Sequence, residues 1–393
     1  MRIHLRPILL VGALLLLAGP ALAAAQPRSL PAQSLLTDEP AMQLAEAGID
    51  ALYNMEFDAA QARFDQLEGL YPDHPVGPFL DGLMTWWEVM VDLQNRQHDK
   101  RFLKLMDETI RRADRRLKVD KNDLDGLFFK SMGLSFRSRL RSNRSQELRA
   151  ARDGKRALDL IIRLAEQDAQ NDDFYFGWGV YDYYADVAEE RYSALKLISW
   201  AFPNGDKERG IAQLERSFKN GRFLKAEAAY FLFQIYYFYE KNFAKSIEYI
   251  TWLRMTYPGN AVFHALEGRM YARFGRWDRV GDIFAEVLRR HEAAQTGYGL
   301  GLAEQAFYYL ARNEMRYGDV EGAIPYLRKL DDTAARLKAD TPYKVLGRLR
   351  QGMVLDRMGH RDGAVMRYKE VLSMKDWSGA HRRAKAYLKK PYR

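Results

Sequence analysis

The chain has 393 residues, of which 47% are apolar and 29% are charged, so it can bury a sizeable core and is not a disordered tail. It contains no cysteine, which excludes disulfides, thiolate metal sites and a cysteine nucleophile within this sequence. The formal net charge of +9 is concentrated at one end, since six basic and no acidic residues lie between 377 and 393. The charge therefore does not by itself indicate nucleic-acid binding.

The first 25 residues have the pattern of a secretory signal peptide. Arg2 and Arg6 precede an apolar run at 8–18, and small residues in "ALAAAQ" follow. We predict cleavage between residues 23 and 26, with an uncleaved anchor as the alternative, although eleven apolar residues are few for a membrane span. The expected location is the periplasm or the exterior of a bacterial cell, and the lack of cysteine excludes a lipoprotein anchor.

Residues 26–40 contain three prolines and are predicted to be a linker. Beyond them, apolar residues recur with a helical period, interrupted by Asn, Asp, Gly or Pro, and no stretch alternates strictly between polar and apolar. The sequence therefore predicts an all-α fold. In the middle of the chain the expected helices are 77–94, 99–117, 123–140, 146–168, 173–190 and 206–219.

Internal repeats support this interpretation. The segment "FDAAQARF" at 57–64, followed by "YP" at 71–72, matches "FAKSIEYI" at 243–250, followed by "YP" at 257–258. Three later units repeat a spacing of small and large residues: Gly268, Gly275, Val280 and Phe284; Ala311, Gly318, Ala323 and Leu327; Gly352, Gly359, Ala364 and Tyr368.

This spacing resembles that of tetratricopeptide repeat proteins, whose unit is a pair of antiparallel helices of about 34 residues. The resemblance is clear over 42–75 and 226–375 and weak between 76 and 225. It implies a right-handed superhelical solenoid. We expect one clear and several degenerate helix pairs in 41–225, a repeat array in 226–375, and a capping helix with a basic tail in 376–393.

The resemblance also implies which residues line the concave inner face. The inward positions lie one and five residues after each small crossing residue, and they are Arg269, Arg273, Arg312, Arg316, Met353 and Arg357. Because guanidinium groups bind carboxylates in a bidentate manner, we expect a partner with an acidic segment or a free carboxylate. The alternative is that these arginines pair with Glu267, Glu314 and Asp356 on a solvated face.

Two segments are rich in aromatic residues. Seven of the ten residues from Tyr230 to Tyr239 are aromatic. Such a helix is either covered by neighbours on all sides, or its second face, with Phe231, Ile235 and Tyr239, contributes apolar contacts to a binding groove. The segment 171–187 interleaves rings with two glycines, which indicates either core packing or a pocket beside the rings.

The common enzyme motifs are missing. There is no nucleophile elbow, "GYGLG" at 297–301 follows no predicted strand, and the histidines are scattered, so we predict no catalytic residue, cofactor or metal. We expect a non-enzymatic protein-binding scaffold of the bacterial cell envelope, with no nucleic-acid partner and no transmembrane segment after signal removal. The alternatives are a structural component that binds anionic lipid or cell-wall polymer through its convex face and tail, and an enzyme whose site lies in 76–225.

Overall fold

The computed structural model describes residues 34–191, 203–337 and 340–393. The predicted signal peptide and the first part of the predicted linker lie outside these residues. Within them the chain is helical, short turns join the helices and no strand occurs. The predicted all-α class is therefore confirmed.

The described residues divide into two compact units. The first unit comprises 34–89 and 95–242, and the second comprises 90–94 and 243–393. The division predicted between 225 and 226 falls inside the first unit, because the helix that starts at Lys225 packs against the preceding helix of that unit.

The helices of the first part of the chain are α1 Glu39–Tyr53, α2 Phe57–Leu70, α3 Val76–Val91, α4 Asp99–Val119, α5 Leu124–Asn143, α6 Glu147–Gln167, α7 Phe174–Arg191, α8 Lys207–Asn220 and α9 Lys225–Gln234. A π turn, Ile235–Tyr239, continues α9. The helices that follow are α10 Phe243–Thr256, α11 Ala261–Arg273, α12 Trp277–Glu292, α13 Leu300–Tyr317, α14 Ala323–Ala335, α15 Pro342–Arg357, α16 Arg361–Ser373 and α17 Ala380–Lys389.

Side-chain caps and glycine turns set the ends of several helices. Asn260 accepts hydrogen bonds from the first backbone amides of α11, and Thr341 does the same for α15. Gly275, Gly318 and Gly359 follow α11, α13 and α15 with φ of 81°, 90° and 82°. Glycine adopts this left-handed conformation without steric cost, so each first helix turns sharply into its partner.

The two helices of a pair cross at the small residues that the repeat spacing predicted. A Cβ atom on Gly268 would lie 2.6 Å from Cε2 of Phe284, and a Cβ atom on Gly352 would lie even closer to Cε1 of Tyr368. In the intervening unit Ala311 and Leu327 belong to one buried cluster. In each case the large residue follows the small one by sixteen positions. The resemblance to tetratricopeptide pairs is confirmed for the fold.

A methyl group at such a crossing point is expected to destabilise the protein. Gly268→Ala should lower the free energy of unfolding by about 1–3 kcal/mol, because Phe284 has to move. Gly69→Ala on α2 is the matched control, since no atom lies within 4 Å of the added Cβ. Urea denaturation of both variants measures the difference, and equal stabilities would contradict the close crossing.

The middle region follows the predicted helical patterns closely, as α3 to α8 begin and end within three residues of them. Consecutive helices from α4 to α9 pack against each other.

The last residues of the predicted linker are folded in the structure, contrary to the prediction. Leu35 is 2% exposed in a short 3-10 turn, Leu35–Thr37, and its amide donates to Asp125 on α5. The end of the linker is therefore part of the folded first unit.

In the second unit, consecutive helices pack in pairs, and α13, α15 and α17 also contact one another in that order. On α17, Ala380 and Ala384 are fully buried against this stack. The helices α13, α15 and α17 thus lie side by side, and this arrangement positions the candidate site.

None of the helices in the described ranges combines the length and apolar character needed to cross a membrane.

Candidate functional site

Three of the arginines predicted to face inward lie at helix ends. Arg273, Arg316 and Arg357 are exposed and occupy the last turns of α11, α13 and α15. A positive charge there interacts favourably with the helix dipole, typically by about 0.3–1 kcal/mol. The recurrence of arginine at this position therefore has a structural explanation that requires no ligand.

Arg312 is in a different environment. It is partly buried on α13, and its guanidinium carbon lies 4.6 Å from the ring centroid of Trp277 on α12. It also lies 5.5 Å from the ring of Tyr308, one turn earlier on α13. Stacking on aromatic faces holds a guanidinium group in place while leaving its N–H donors available to an anion. Arg269 on α11 is likewise partly buried.

Two arginines outside the predicted inward positions act on the same tyrosine. Burial of Tyr308 favours the neutral phenol, but the positive charges of Arg312 on α13, Arg350 on α15 and Arg383 on α17 outweigh it and lower the pKa of Tyr308. Burial, together with the charges of Arg350 and Arg312, also lowers the pKa of Arg383. Arg312, Arg350 and Arg383 thus form a cationic cluster, called here the arginine cluster.

The arginine cluster is not neutralised by the protein. Across residues 34–191, 203–337 and 340–393, no ion pair involves Arg312, Arg350 or Arg383, and Arg350 hydrogen-bonds to the side chain of Tyr308 and to the sulfur of Met353 at 3.7 Å. Two of the acidic residues expected as alternative partners bind elsewhere, since Glu267 pairs with Arg254 at 3.3 Å and Asp356 with Arg361 at 2.9 Å. Three like charges close together without a counter-ion favour the binding of an anion.

The predicted apolar contact residues belong to the first unit, whereas the arginine cluster belongs to the second. Ile235 is fully buried in the π turn, so it packs inside the unit and offers no surface to a partner. Phe231 and Tyr239 are partly exposed and line a cavity. The aromatic stretch is therefore mostly core, with one side at that cavity.

Repeat spacing could not identify Arg350 and Arg383. Arg350 lies two residues before the crossing glycine Gly352 in the sequence, whereas the predicted inward positions come after it. Arg383 lies in the basic tail, which the sequence suggested was separate from the groove. The contact between α15 and α17 brings both residues to Tyr308.

In the described part of the chain, no three acidic or histidine side chains lie together in a way that could hold a metal ion.

No family model and no curated protein matches the chain. Several solved structures are similar to it. PilW, a type IV pilus biogenesis factor, is 16% identical with a TM-score of 0.40, and the match covers 64% of this chain and 96% of that one.

A human IFIT1 dimer with m7Gppp-AAAA is 13% identical with a TM-score of 0.46, and the match covers 90% and 86% of the two chains. The Cut9–Hcn1 hetero-tetramer of APC/C is 12% identical with a TM-score of 0.19, and the match covers 90% and 85%. These are tetratricopeptide-type helical repeat proteins. Sequence identities this low bear on the fold of the chain and not on its function.

Proposed function

We propose that this protein is a non-enzymatic binding scaffold that holds an acidic segment of a partner protein at the arginine cluster. The observation that carries the proposal is that Arg312, Arg350 and Arg383 all act on Tyr308, while no ion pair within the described residues involves any of the three. Repulsion among the three charges is relieved when an anion binds, and each guanidinium offers paired donors that match a carboxylate.

The arrangement of neighbouring arginines favours an extended ligand over a small free anion. Arg316 follows Arg312 by four residues on α13, and Arg357 follows Arg350 by seven residues on α15, so each pair shares one helix face. The basic surface therefore continues from the cluster toward the helix ends. A peptide with several carboxylates can contact both the cluster and this extension.

An acidic peptide tests the proposal. Fluorescein-labelled hexaglutamate should bind the full chain, and hexaglutamine should bind at least about tenfold more weakly, because a charge-assisted hydrogen bond contributes on the order of 1.5–3 kcal/mol. Arg350→Gln should weaken hexaglutamate binding by about tenfold or more. It should change the melting temperature little, because the loss of the hydrogen bond to Tyr308 is offset by the removal of repulsion within the cluster. Fluorescence anisotropy and thermal denaturation provide the two measurements.

Arg382→Gln is the matched control, since Arg382 is exposed on the same helix as Arg383 and the change in net charge is identical. It should alter binding by less than about twofold, because exposed charges contribute little. Equal weakening by the two variants would show that only the overall charge matters. Equal affinity for the two peptides would overturn the proposal.

Export to the cell envelope is part of the proposal and rests on the signal-peptide pattern in residues 1–25. A second candidate function is supported by the exposed basic residues of α17, namely Arg382, Lys385 and Lys389. They suit a structural protein that binds anionic lipid or cell-wall polymer. Co-sedimentation with phosphatidylglycerol vesicles that is lost in Arg382→Gln and kept in Arg350→Gln would favour this second function.

A further inference from the structure

The first unit contains a cavity of about 200 Å³ between helices α5, α6, α7 and α9. Most of its described wall is apolar. Its apolar lining residues include Phe128, Met132, Phe136, Ile161, Leu164 and Phe174. A cavity of about 150 Å³ with similar walls accepts benzene, so this one has room for a molecule of one or two rings.

One polar atom in the wall has no partner. Gln234 is 2% exposed, it lines the cavity, and its Oε1 atom is buried without a hydrogen bond. Burying an unsatisfied amide oxygen costs about 1–3 kcal/mol, which a donor inside the cavity would offset. Gln234 is also the last residue of α9 before the π turn, and such widened turns often occur at functional sites.

Two of the three charged residues in the described wall, Arg139 and Glu227, pair with each other, and the third, Asp173, accepts hydrogen bonds from the backbone amides of residues 222–224. Arg139 lies 3.2 Å from Glu227, and Tyr53 donates to the same carboxylate at 2.6 Å. The guanidinium of Arg139 also lies 5.1 Å from the ring centroid of Phe231. Because this pair is already balanced, a charged ligand would bring an uncompensated charge into an apolar site. The cavity therefore suits a neutral molecule.

We propose that this cavity is a binding site for a small neutral molecule with an apolar body of one or two rings and one N–H or O–H group. That group donates to Oε1 of Gln234, and the body packs against the aromatic and aliphatic walls. The site is independent of the arginine cluster, since all of its described lining residues belong to the first unit.

Indole and benzothiophene form a matched pair of probes, because they have nearly the same shape and only indole has an N–H donor. Both should bind the full chain saturably in isothermal titration calorimetry. Gln234→Leu keeps the approximate shape and removes the acceptor. It should lower the ratio of indole affinity to benzothiophene affinity by about tenfold, which corresponds to one hydrogen bond.

Gln213→Leu is the control. Gln213 on α8 also has a buried Oε1 without a partner, but it is not part of the cavity wall, so its variant should keep the wild-type ratio. Ser135→Phe places a ring at the wall and should weaken both probes by tenfold or more, with circular dichroism confirming that the variant is folded.

Each remaining outcome contradicts the proposal. Failure of both probes to bind the wild type would show that the cavity takes no such ligand. An unchanged affinity ratio in Gln234→Leu would remove the role of Oε1. Full binding by a folded Ser135→Phe variant would place the probes elsewhere. None of these results depends on whether hexaglutamate binds the arginine cluster.

Discussion

Replacing Asp125 with alanine is expected to lower the free energy of unfolding by about 3–5 kcal/mol, the typical cost of removing one partner of a buried charge network. The carboxylate is fully buried on α5. It accepts hydrogen bonds from the amides of Leu35 and Leu36, from Oγ of Ser34, from Nε2 of His74 and from the guanidinium of Arg116. Burial favours the protonated acid, but the hydrogen bond from His74, that from the Leu35 amide and the charge of Arg116 together lower the pKa of Asp125.

Urea denaturation gives the loss of stability, and hydrogen exchange gives its location. Exchange of the Leu35 and Leu36 amides should become faster in Asp125→Ala, because both amides lose their acceptor. Asp114→Ala is the control, since Asp114 is 40% exposed in its ion pair with Lys130 and should cost less than about 1 kcal/mol. Similar losses of unfolding free energy in the two variants would show that the hydrogen bonds of Asp125 to residues 34–36, His74 and Arg116 do not stabilise the first unit.

The part of the fold that could be predicted from the sequence is the part governed by local spacing. A crossing such as Gly268 against Phe284 requires a small residue and a large one sixteen positions apart, and the sequence displays that spacing directly. Helix ends are also local, because an asparagine or threonine cap acts on amides two or three residues away. The all-α class and the later helix pairs follow from these signals.

The arginine cluster could be predicted only in part. Arg312 occupies a position that the repeat specifies, whereas Arg350 and Arg383 meet it through contacts between helices that are distant in sequence. No periodic signal marks such residues. The same holds for the cavity, since Gln234 has an unpartnered oxygen only because of how α5, α6, α7 and α9 pack around it.

The stability of the second unit is expected to depend on pH through Glu304 on α13. Its side chain is 1% exposed, and burial raises its pKa to about 7, although a hydrogen bond from Thr341 and the charge of Lys344 oppose the shift. Below pH 4.5 the carboxyl is protonated in both the folded and the unfolded chain. Above pH 7 it is ionised in both, and the folded state carries the full cost of a buried charge.

The free energy of unfolding should therefore fall by about 3 kcal/mol on account of Glu304 as the pH rises from 4.5 to 7, since each pH unit between the two pKa values corresponds to about 1.4 kcal/mol. Glu304→Gln cannot ionise and can still accept from Thr341. The variant should match the wild type at pH 4.5 and exceed its free energy of unfolding by about 2–3 kcal/mol at pH 8. Urea denaturation at the two pH values measures this difference.

Other titrating groups change the stability of the wild type and the variant equally, so the difference between them isolates Glu304. Glu321→Gln, at an exposed position before α14, removes the same charge and should give a difference that does not vary with pH. If the Glu304→Gln difference were also constant from pH 4.5 to 8, the carboxyl would be ionised at no cost. The packing of α13 around it would then have to admit water or a counter-charge.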